Sequence, residues 1–395
     1  MKLLLTIVLL FSLIQCNESY INAPTQGKYS NIDQIILKFV NQYQITGLSV
    51  SIVKNNKLHW ANSYGWSNMG QQVPLSNRTM IRVASVSKII SITAVLKLYE
   101  SGHINLDEDI SKYLGYVVRN PHYPEKAITV RHLINHRSGI IEYNGLYTEF
   151  TKNTYQNIEE TSLQDVLAPG GKYYSDSFWT RYKPGTRYIY SNIGYGIIAT
   201  IVENITNTDF DTYCHNIIFN KLRMNASFNL SKIDQSHKKA NLYRYLKKED
   251  AYELSLNDFD SHLYPSYYSR YKIGTNAFFF SPHGGLRSNA IDLSSLMIEF
   301  LKNGDKILKT KTVKLFFKQK RFGIYKTTNL INNQELYGHS GSAYGLISHF
   351  YFNPIKKYGI IFIITGANDL NKNSSGYFKI EKELTNILFN HFIQN

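Results

Sequence analysis

Apolar segments with strand-like patterning occur at both ends of the chain, and this arrangement most constrains its fold. Near the start, residues 47–53 alternate like a strand, and Asn55 and Asn56 tolerate the positive φ of a tight hairpin turn. Strand patterns return in the last third, at residues 323–327, 345–352 and 358–365. This predicts an α+β fold with one antiparallel sheet built from both chain ends and flanked by helices.

The sequence between the two strand regions is helical and loop-rich, and it predicts an inserted, mostly helical subdomain. We expect residues 101–275 to form this subdomain. Residues 20–100 and 276–395 would then be the N-terminal and C-terminal parts of a single α/β subdomain. No internal repeat or low-complexity tract suggests a different organisation.

Several local expectations concern the insertion and the C-terminal part of the chain. A polar, aromatic-rich stretch at residues 143–182 is expected to line a cleft, and the charged residues 238–260 are expected to lie at the surface. Ser288 is the predicted N-cap of the next helix. Residues 381–392 have the period of an amphipathic helix that closes the chain.

The N-terminus predicts a secretory signal peptide at residues 1–19. Lys2 is followed by an apolar run of about eleven residues at positions 3–13, shorter than the roughly 20 residues that span a bilayer. After cleavage the protein would be secreted or lie in an endomembrane or lysosomal lumen, with no stable membrane insertion. An uncleaved N-terminal anchor is the alternative.

Cysteine content and glycosylation triplets bear on the same question. Cys16 would leave with the signal peptide, so that Cys214 would be unpaired and no disulfide framework would hold the fold. A eukaryotic secretory route would make the protein a glycoprotein. The candidate acceptor residues are Asn77, Asn204, Asn225, Asn229 and Asn373.

The formal net charge of +15 would favour anionic surfaces or ligands. Lysine, asparagine, isoleucine and tyrosine are abundant throughout, however, and this points to compositional bias. There is no compact stripe of Arg and Lys interleaved with stacking aromatic residues. We therefore expect no nucleic-acid partner.

A serine and a lysine three residues apart, Ser85 and Lys88, open an apolar segment that is predicted to be a helix. Residues at i and i+3 share a helix face, so the lysine amine would stand beside the serine hydroxyl. Burial lowers the pKa of a lysine, and a neutral amine accepts the proton of a serine nucleophile. Free N–H groups at the helix N-terminus suit a developing oxyanion. Ser85 is therefore the candidate catalytic nucleophile.

Other parts of the sequence carry similar spacings and supply alternatives. Ser51 and Lys54 lie on a predicted strand, where residues three apart face opposite sides, and the serines at 236 and 269 lie in polar stretches. Residues 338–342 look at first like a nucleophile elbow around Ser340. They lack the final glycine and precede a strand instead of a helix, but Ser340 remains an alternative nucleophile.

The context of Ser85 distinguishes it from these other serines. Two further short motifs follow it in order: Tyr190-Ser191-Asn192 and His339-Ser340-Gly341. The surrounding stretches are 82–85 (RVAS), 131–139 (RHLINHRSG), 184–196 (PGTRYIYSNIGYG) and 283–288 (HGGLRS). Together they resemble the serine β-lactamase-related family, which includes class C β-lactamases, D-Ala-D-Ala carboxypeptidases, related esterases and a eukaryotic β-lactamase-like protein. The resemblance covers residues 45–365 and implies the β-lactamase/transpeptidase-like fold.

The resemblance also implies a role for each residue of these motifs. Ser85 would attack a carbonyl to form an acyl-enzyme, while Lys88 and Tyr190 exchange protons with it and with the leaving group. Asn192 would orient Lys88 and contact a substrate amide. The backbone N–H groups of Ser85 and Ser342 would form the oxyanion hole, with Gly341 beside them. Whether Lys88 or Tyr190 is the general base stays open, since a phenol with a pKa near 10 is a poor base without cationic neighbours.

His339 departs from the β-lactamase pattern, which has lysine at this position. Histidine is mostly neutral at pH 7, so recognition of a substrate carboxylate is weakened. Hydrolysis of an ester, amide or peptide is then favoured over antibiotic resistance, with a small-molecule or peptide substrate as the partner and no cofactor. The alternatives are a true β-lactamase or D-Ala-D-Ala carboxypeptidase, and a non-catalytic binding or scaffold protein on the same fold.

The pair His132 and His136, at i and i+4, is a conceivable metal pair. No third ligand is placed near it in the sequence, and the resemblance implies a structural role for the surrounding stretch, residues 131–139. We therefore expect no metal site.

Overall fold

The computed structural model describes residues 14–15, 31–142, 145–156, 160–233, 239–255, 268–318 and 322–394. The strands in these residues are β1 Ile14–Gln15, β2 Gly47–Lys54, β3 Lys57–Asn68, β4 Val73–Pro74, β5 Ile81–Arg82, β6 Tyr243–Leu246, β7 Ala251–Leu254, β8 Arg287–Ser288, β9 Tyr325–Thr327, β10 Leu336–Ala343, β11 Leu346–Asn353 and β12 Tyr358–Ile364. The α-helices are α1 Asn31–Gln42, α2 Ser87–Glu100, α3 Ile110–Leu114, α4 Val130–Ile134, α5 Gly145–Gln156, α6 Gln164–Leu167, α7 Ile193–Thr206, α8 Phe210–Cys214, α9 Asn220–Leu222, α10 Ala290–Leu301, α11 Thr310–Lys318 and α12 Lys379–Phe389.

The main sheet joins the two ends of the chain. Its order is β4-β3-β2-β12-β11-β10-β9, and all its neighbouring strands run antiparallel. At the junction, β2 pairs with β12 so that Val50 lies opposite Phe362. The α+β fold with a sheet built from both chain ends is therefore confirmed.

Both faces of this sheet are covered, which explains why its central strands β2, β11 and β12 are buried at nearly every position. On one face, Val50 and Phe362 pack with residues of α1 and α12. On the other face, Ile361 and Ile363 join a larger core that includes residues of α2, α7 and α10. Helix α12 confirms the predicted closing helix.

The predicted hairpin turn is present between β2 and β3. Asn55 and Asn56 both have positive φ, at 54° and 60°. Asparagine tolerates this conformation better than most residues do, and two such residues in succession give the turn twist that matches antiparallel strands. The hairpin prediction is confirmed.

The segment between the two sheet halves is largely helical, from α3 to α9, but it also contains the hairpin β6–β7. The expected surface position of residues 238–260 is confirmed for the turn at residues 247–250, which is exposed, but it is wrong for Tyr243 and Tyr252, which are buried. Tyr243 N–H also donates to the Thr365 carbonyl at 2.9 Å, and residues 238 and 256–260 lie outside the described residues. The predicted N-cap Ser288 is also wrong by one residue. Asn289 caps α10, accepting from Asp292 N–H at 2.9 Å. The subdomain boundaries stay a prediction.

Residues 14–15 of the expected signal peptide form β1, which pairs with β7; the rest of residues 1–19 lies outside the described residues. None of the described helices is long and apolar enough to cross a membrane. Cys214 is buried and unpaired, and burial raises the pKa of its thiol. Of the predicted glycan acceptors, Asn229 is buried, which disfavours a glycan at that position.

Candidate active site

Ser85 lies in a tight turn, Ala84–Val86, that leads directly into helix α2. The residue before it, Ala84, has a φ of +42°. Such a conformation is unfavourable for a residue with a Cβ and persists where the surroundings impose it, often at functional sites. Helix α2 begins at Ser87, so Ser85 stands at its N-terminal end as the sequence predicted.

Lys88 lies one turn later and is completely buried, with an exposure of 0%. Most other residues of α2 are buried as well, so the lysine stem has no route along which its amine could reach water. Its Nζ instead donates to Ser85 Oγ at 3.2 Å, to Asn192 Oδ1 at 2.9 Å and to the His283 carbonyl at 2.7 Å. Three described acceptors therefore surround the amine.

Burial lowers the pKa of Lys88 to about 7, and the nearby Glu142 carboxylate partly opposes this effect. Desolvation penalises the ammonium form because that charge loses its hydration inside the protein. The Tyr190 and Tyr195 rings lie 4.8 and 5.2 Å from Nζ and partly compensate the ammonium charge. A substantial fraction of Lys88 is thus a neutral amine near pH 7.

Tyr190 places its hydroxyl 2.8 Å from Ser85 Oγ. Its ring stacks on the His136 ring, with 4.4 Å between the ring centroids. His136 Nδ1 accepts the backbone N–H of Ser191 at 3.1 Å, which anchors the tyrosine motif just before α7. The hydroxyl of Ser85 therefore contacts both a buried amine and a held phenol.

The two histidines that could have formed a metal pair serve these structural roles instead. Besides the contacts of His136, Nδ1 of His132 accepts from the backbone N–H of Thr129 and completes a capping box at the start of α4. In the described part of the chain, no cluster of three or more His, Cys, Asp or Glu has metal-binding geometry.

The third motif lies on strand β10, beside the Ser85 turn. Strand β9 pairs with β10 in the described sheet only over Leu336–Gly338, and the rest of β10 approaches residues 83–85. A Cβ added to Gly341 would lie 2.8 Å from Ser85 N and 2.9 Å from the Val83 carbonyl. Only glycine allows this approach of two backbones, and the next residue, Ser342, is exposed. This arrangement suits the predicted oxyanion hole.

Substitution of Gly341 by alanine is expected to lower kcat/KM by roughly 100-fold, because the new methyl group would intrude on the Ser85 N–H, and removal of one oxyanion donor costs this much in comparable hydrolases. The new Cβ would also lie 2.4 Å from Ser348 Oγ, and this clash is expected to lower the Tm of the variant. Gly284→Ala is the control, since its Cβ would meet no described atom closer than 3.8 Å. Equal kinetics in both variants would contradict the assignment.

His339 is buried, with an exposure of 3%. Burial lowers its pKa to about 3, and the charge of Lys88 adds to this effect. Its Nδ1 lies 2.5 Å from the Ser340 carbonyl. A carbonyl can only accept, so Nδ1 carries the ring proton and Nε2 is left as a hydrogen-bond acceptor. Among the described residues, Nε2 has no hydrogen-bond partner.

The motifs meet at one cleft of about 590 Å³. The predicted site residues that line it are Ser85, Tyr190, Asn192, His339, Gly341 and Ser342. Lys88 lies buried behind Ser85. A second cleft of about 670 Å³, which Lys54, Tyr358 and Asn386 help to line, contains none of these residues. The structure thus brings every sequence-predicted site residue together.

The alternative nucleophile has a different environment. Ser340 lies within strand β10, which leads into strand β11, so it is not at a strand-to-helix elbow. Its hydroxyl donates to the carboxylate of Glu381, a group that His349 Nδ1 also contacts, at 2.9 Å. Ser51, on β2, donates to the Ala290 carbonyl at 2.7 Å. Neither of these described environments offers the lysine amine that Ser85 contacts.

Sequence reasoning missed Glu142 and the carbonyl of His283. The carboxylate of Glu142 contacts Ser191, Asn192 and Ile193 at the start of α7. Glu142 comes three positions after the family-like stretch at residues 131–139. This proximity is the sequence signal that could have pointed to Glu142. A backbone carbonyl such as that of His283 carries no residue-type signal at all.

Comparisons with known proteins agree with this geometry. The sequence model of the family described as Beta-lactamase matches residues 32–377. Protein flp of Staphylococcus aureus strain N315 is 28% identical over 200 residues, 51% of this chain and 38% of that protein. Protein flp of strain MRSA252 is 25% identical over a longer alignment, which covers 93% of this chain and 68% of that protein.

Solved structures share the fold at lower sequence identity. The octameric penicillin-binding protein homologue from Pyrococcus abyssi has a TM-score of 0.68 and 21% identity, and covers 91% of this chain and 77% of its own. The D-amino acid amidase from Ochrobactrum anthropi SV3 has a TM-score of 0.65 and 17% identity, and the match covers 91% of this chain and 98% of the amidase. With a match that spans residues 32–377, the chain belongs to the family described as Beta-lactamase.

Proposed function

We propose that the protein hydrolyses an uncharged ester or amide through an acyl-enzyme on Ser85. The observation that carries this proposal is the position of the Ser85 hydroxyl, 3.2 Å from the buried Lys88 amine and 2.8 Å from the Tyr190 hydroxyl. A serine with these two partners has both a proton acceptor and a route for the proton to a leaving group.

In the proposed reaction, Ser85 Oγ attacks the substrate carbonyl while its proton passes to neutral Lys88. The N–H groups of Ser85 and Ser342 stabilise the negative charge that develops on the carbonyl oxygen. The Lys88–Tyr190 pair then returns the proton to the departing alcohol or amine, and the acyl group stays on Ser85. In the second half, the pair takes a proton from water, which attacks the ester, and Ser85 regains its proton as the acid leaves.

The state of His339 supports an uncharged substrate. Its Nε2 is an acceptor and its ring is neutral, because burial holds its pKa far below 7. The neutral ring supplies no positive charge to the cleft that it helps to line, so a substrate carboxylate would have no cationic partner at this position. The fold is shared with a D-amino acid amidase, which makes amides reasonable first candidates.

The substrate class is tested by comparing N-acetylated D-amino acid amides and p-nitrophenyl esters, which are uncharged, with N-acetylated D-Ala-D-Ala peptides that end in a free carboxylate. We expect kcat/KM to favour the uncharged compounds by roughly 10- to 100-fold, the effect of about 1–3 kcal/mol from a carboxylate that is desolvated without a cationic partner. The variant His339→Lys should shift this preference toward the carboxylates.

The control for this experiment is His103→Lys, which adds the same charge at an exposed position and should leave the preference unchanged. A wild-type enzyme that preferred the carboxylate peptides, or hydrolysed nitrocefin fastest by far, would contradict the proposed substrate class. A folded protein that neither reacts with a fluorophosphonate at Ser85 nor hydrolyses any of these compounds would favour the non-catalytic alternative.

A further inference from the structure

We propose that Glu142 is a positioning residue that fixes the orientation of the Asn192 amide and thereby keeps the lone pair of neutral Lys88 directed at Ser85. The inference rests on the proposed function of Ser85 and Lys88. Glu142 lies outside the set of residues that line the cleft, so its effect would pass through Asn192 and Lys88 without contact to the substrate.

The carboxylate of Glu142 gathers three hydrogen bonds from consecutive residues. Its Oε1 accepts from Ser191 Oγ at 2.9 Å and from Ile193 N–H at 2.5 Å, while Oε2 accepts from Asn192 Nδ2 at 3.2 Å. It thus occupies the N-terminus of α7, where Asn192 makes no side-chain cap. The segment that carries Glu142 is itself held, since Ile141 N–H donates to the Phe178 carbonyl at 2.8 Å.

These contacts leave one orientation for the Asn192 amide. An ionised carboxylate can only accept hydrogen bonds, so the amide must turn its NH₂ group toward Glu142. Its carbonyl oxygen then faces the opposite way, toward Lys88 Nζ at 2.9 Å. Without the carboxylate, the reversed amide would present an N–H group to Lys88.

The orientation matters because a neutral amine has two N–H donors and one lone pair. The carbonyls of Asn192 and His283 can only accept, so they take the two N–H groups of neutral Lys88. The lone pair is then directed at the third neighbour, Ser85 Oγ, at 3.2 Å. A reversed Asn192 amide would donate an N–H to this lone pair, and Lys88 could then not accept the proton of Ser85.

The charges around the amine support the same role. The ring systems that face Lys88 are those of Tyr190 and Tyr195, and the histidines whose pKa values its charge lowers are His136, His283 and His339. Burial dominates the lowered pKa of each of these histidines, so they are neutral near pH 7. Glu142 contributes the negative charge in this set of neighbours, and that charge favours the ammonium form of Lys88.

Glu142 has surroundings of its own. Burial raises its carboxyl pKa, while its bonds to residues 191–193 and the charge of Lys88 oppose that rise. The hydroxyl of Tyr147, from α5, also contacts it. Removal of the negative charge would lower the pKa of Lys88, so the neutral amine would form at a lower pH.

The test is the variant Glu142→Gln, with the pH dependence of fluorophosphonate labelling of Ser85 as the readout. At its plateau the labelling rate is expected to fall about 10- to 100-fold, because the glutamine NH₂ no longer enforces the amide orientation. The pH at which the rate is half-maximal should move down by about one unit from the wild-type value near 7. Glu142→Asp keeps the charge and should keep the wild-type midpoint.

Glu203→Gln is the matched control at the other end of α7. This buried carboxylate accepts from Phe210 N–H and Gly274 N–H, both at 2.8 Å, and is remote from Lys88. Its loss should lower Tm while leaving the midpoint unchanged. If Glu142→Gln likewise lowered Tm without moving the midpoint, Glu142 would have only a structural role. Absence of labelling in the wild-type protein would instead refute the proposed function itself.

Discussion

Replacement of Ser85 by alanine is expected to lower kcat/KM by roughly 10⁴-fold or more and to abolish covalent labelling, while the fold is retained. The methyl group of alanine fits the same space, but no atom remains that can form the acyl bond, and loss of a hydrolase nucleophile has effects of this size. The substitution removes the contacts of the Ser85 hydroxyl with Tyr190 and Lys88. Intact-protein mass spectrometry after incubation with a fluorophosphonate, together with ester hydrolysis rates, measures both effects.

Ser51→Ala is the control for this experiment. Ser51 is buried and, like Ser85, precedes a lysine by three residues, but its hydroxyl donates to the Ala290 carbonyl at 2.7 Å. It should keep both labelling and activity. Equal labelling of Ser85→Ala and the wild-type protein would overturn the assignment of the nucleophile.

The second large effect is expected for Lys88 and is seen in the pH dependence. The folded-state pKa of Lys88 is about 7, lowered by burial from an ordinary value of 10.5. The neutral amine is the reactive form, so kcat/KM should fall about tenfold per unit as pH drops below 7 and level off above it. The variant Lys88→Met should lose roughly 10³-fold in kcat/KM at pH 8 and should lack this dependence, because methionine has no proton acceptor.

Two further lysine variants complete the test. Lys88→Arg keeps a positive charge at every accessible pH, so it should be inactive across the whole range. Lys97→Met changes a lysine of the same helix whose Nζ donates to the Ile307 carbonyl at 2.8 Å, and it should leave the pH dependence unchanged. A wild-type rate that stayed constant from pH 5 to pH 9 would contradict the role of Lys88 as the base.

The same lysine affects stability, with a sign set by its lowered pKa. Between about pH 7 and 10.5 the unfolded chain holds a proton on Lys88 that the folded chain lacks. The contribution of Lys88 to the free energy of unfolding therefore increases as pH rises through this window. Below pH 7 this group opposes folding, because its charge must be either buried or lost.

Much of the fold is encoded in local sequence patterns. The apolar strands at both ends, the Asn55-Asn56 turn and the closing helix each depend on neighbouring residues, so sequence alone predicts them. The site residues are predictable for a different reason. Ser85 and Lys88 lie one turn apart where the Ala84–Val86 turn leads into α2, and their spacing is visible in the sequence. The other two motifs match short sequence stretches that are typical of the family.

Other features depend on contacts between distant residues and leave no local pattern. Glu142 is 50 residues from Asn192, and its importance appears only when α7 begins beside it. The β6–β7 hairpin is charged and weakly periodic, yet Tyr243 is buried because it meets the end of β12 at Thr365. The cap at Asn289 rather than Ser288 reflects the short pairing of β8 with β5, which uses Ser288 as a strand residue.

The union of the two chain ends in one sheet has a consequence for how the protein is made. The hydroxyls of Thr46 and Thr365 share a hydrogen bond of 2.8 Å although 319 residues separate them. During synthesis, β2 and β3 leave the ribosome long before β11 and β12. The edge of β2 that pairs with β12 in the folded protein therefore has no partner strand during this time. Non-local pairing of this kind slows folding and exposes apolar strands to aggregation. The turn that carries Ser85 thus lacks its neighbour Gly341 until β10 has been synthesised, and we expect no hydrolytic activity from a nascent chain before that point.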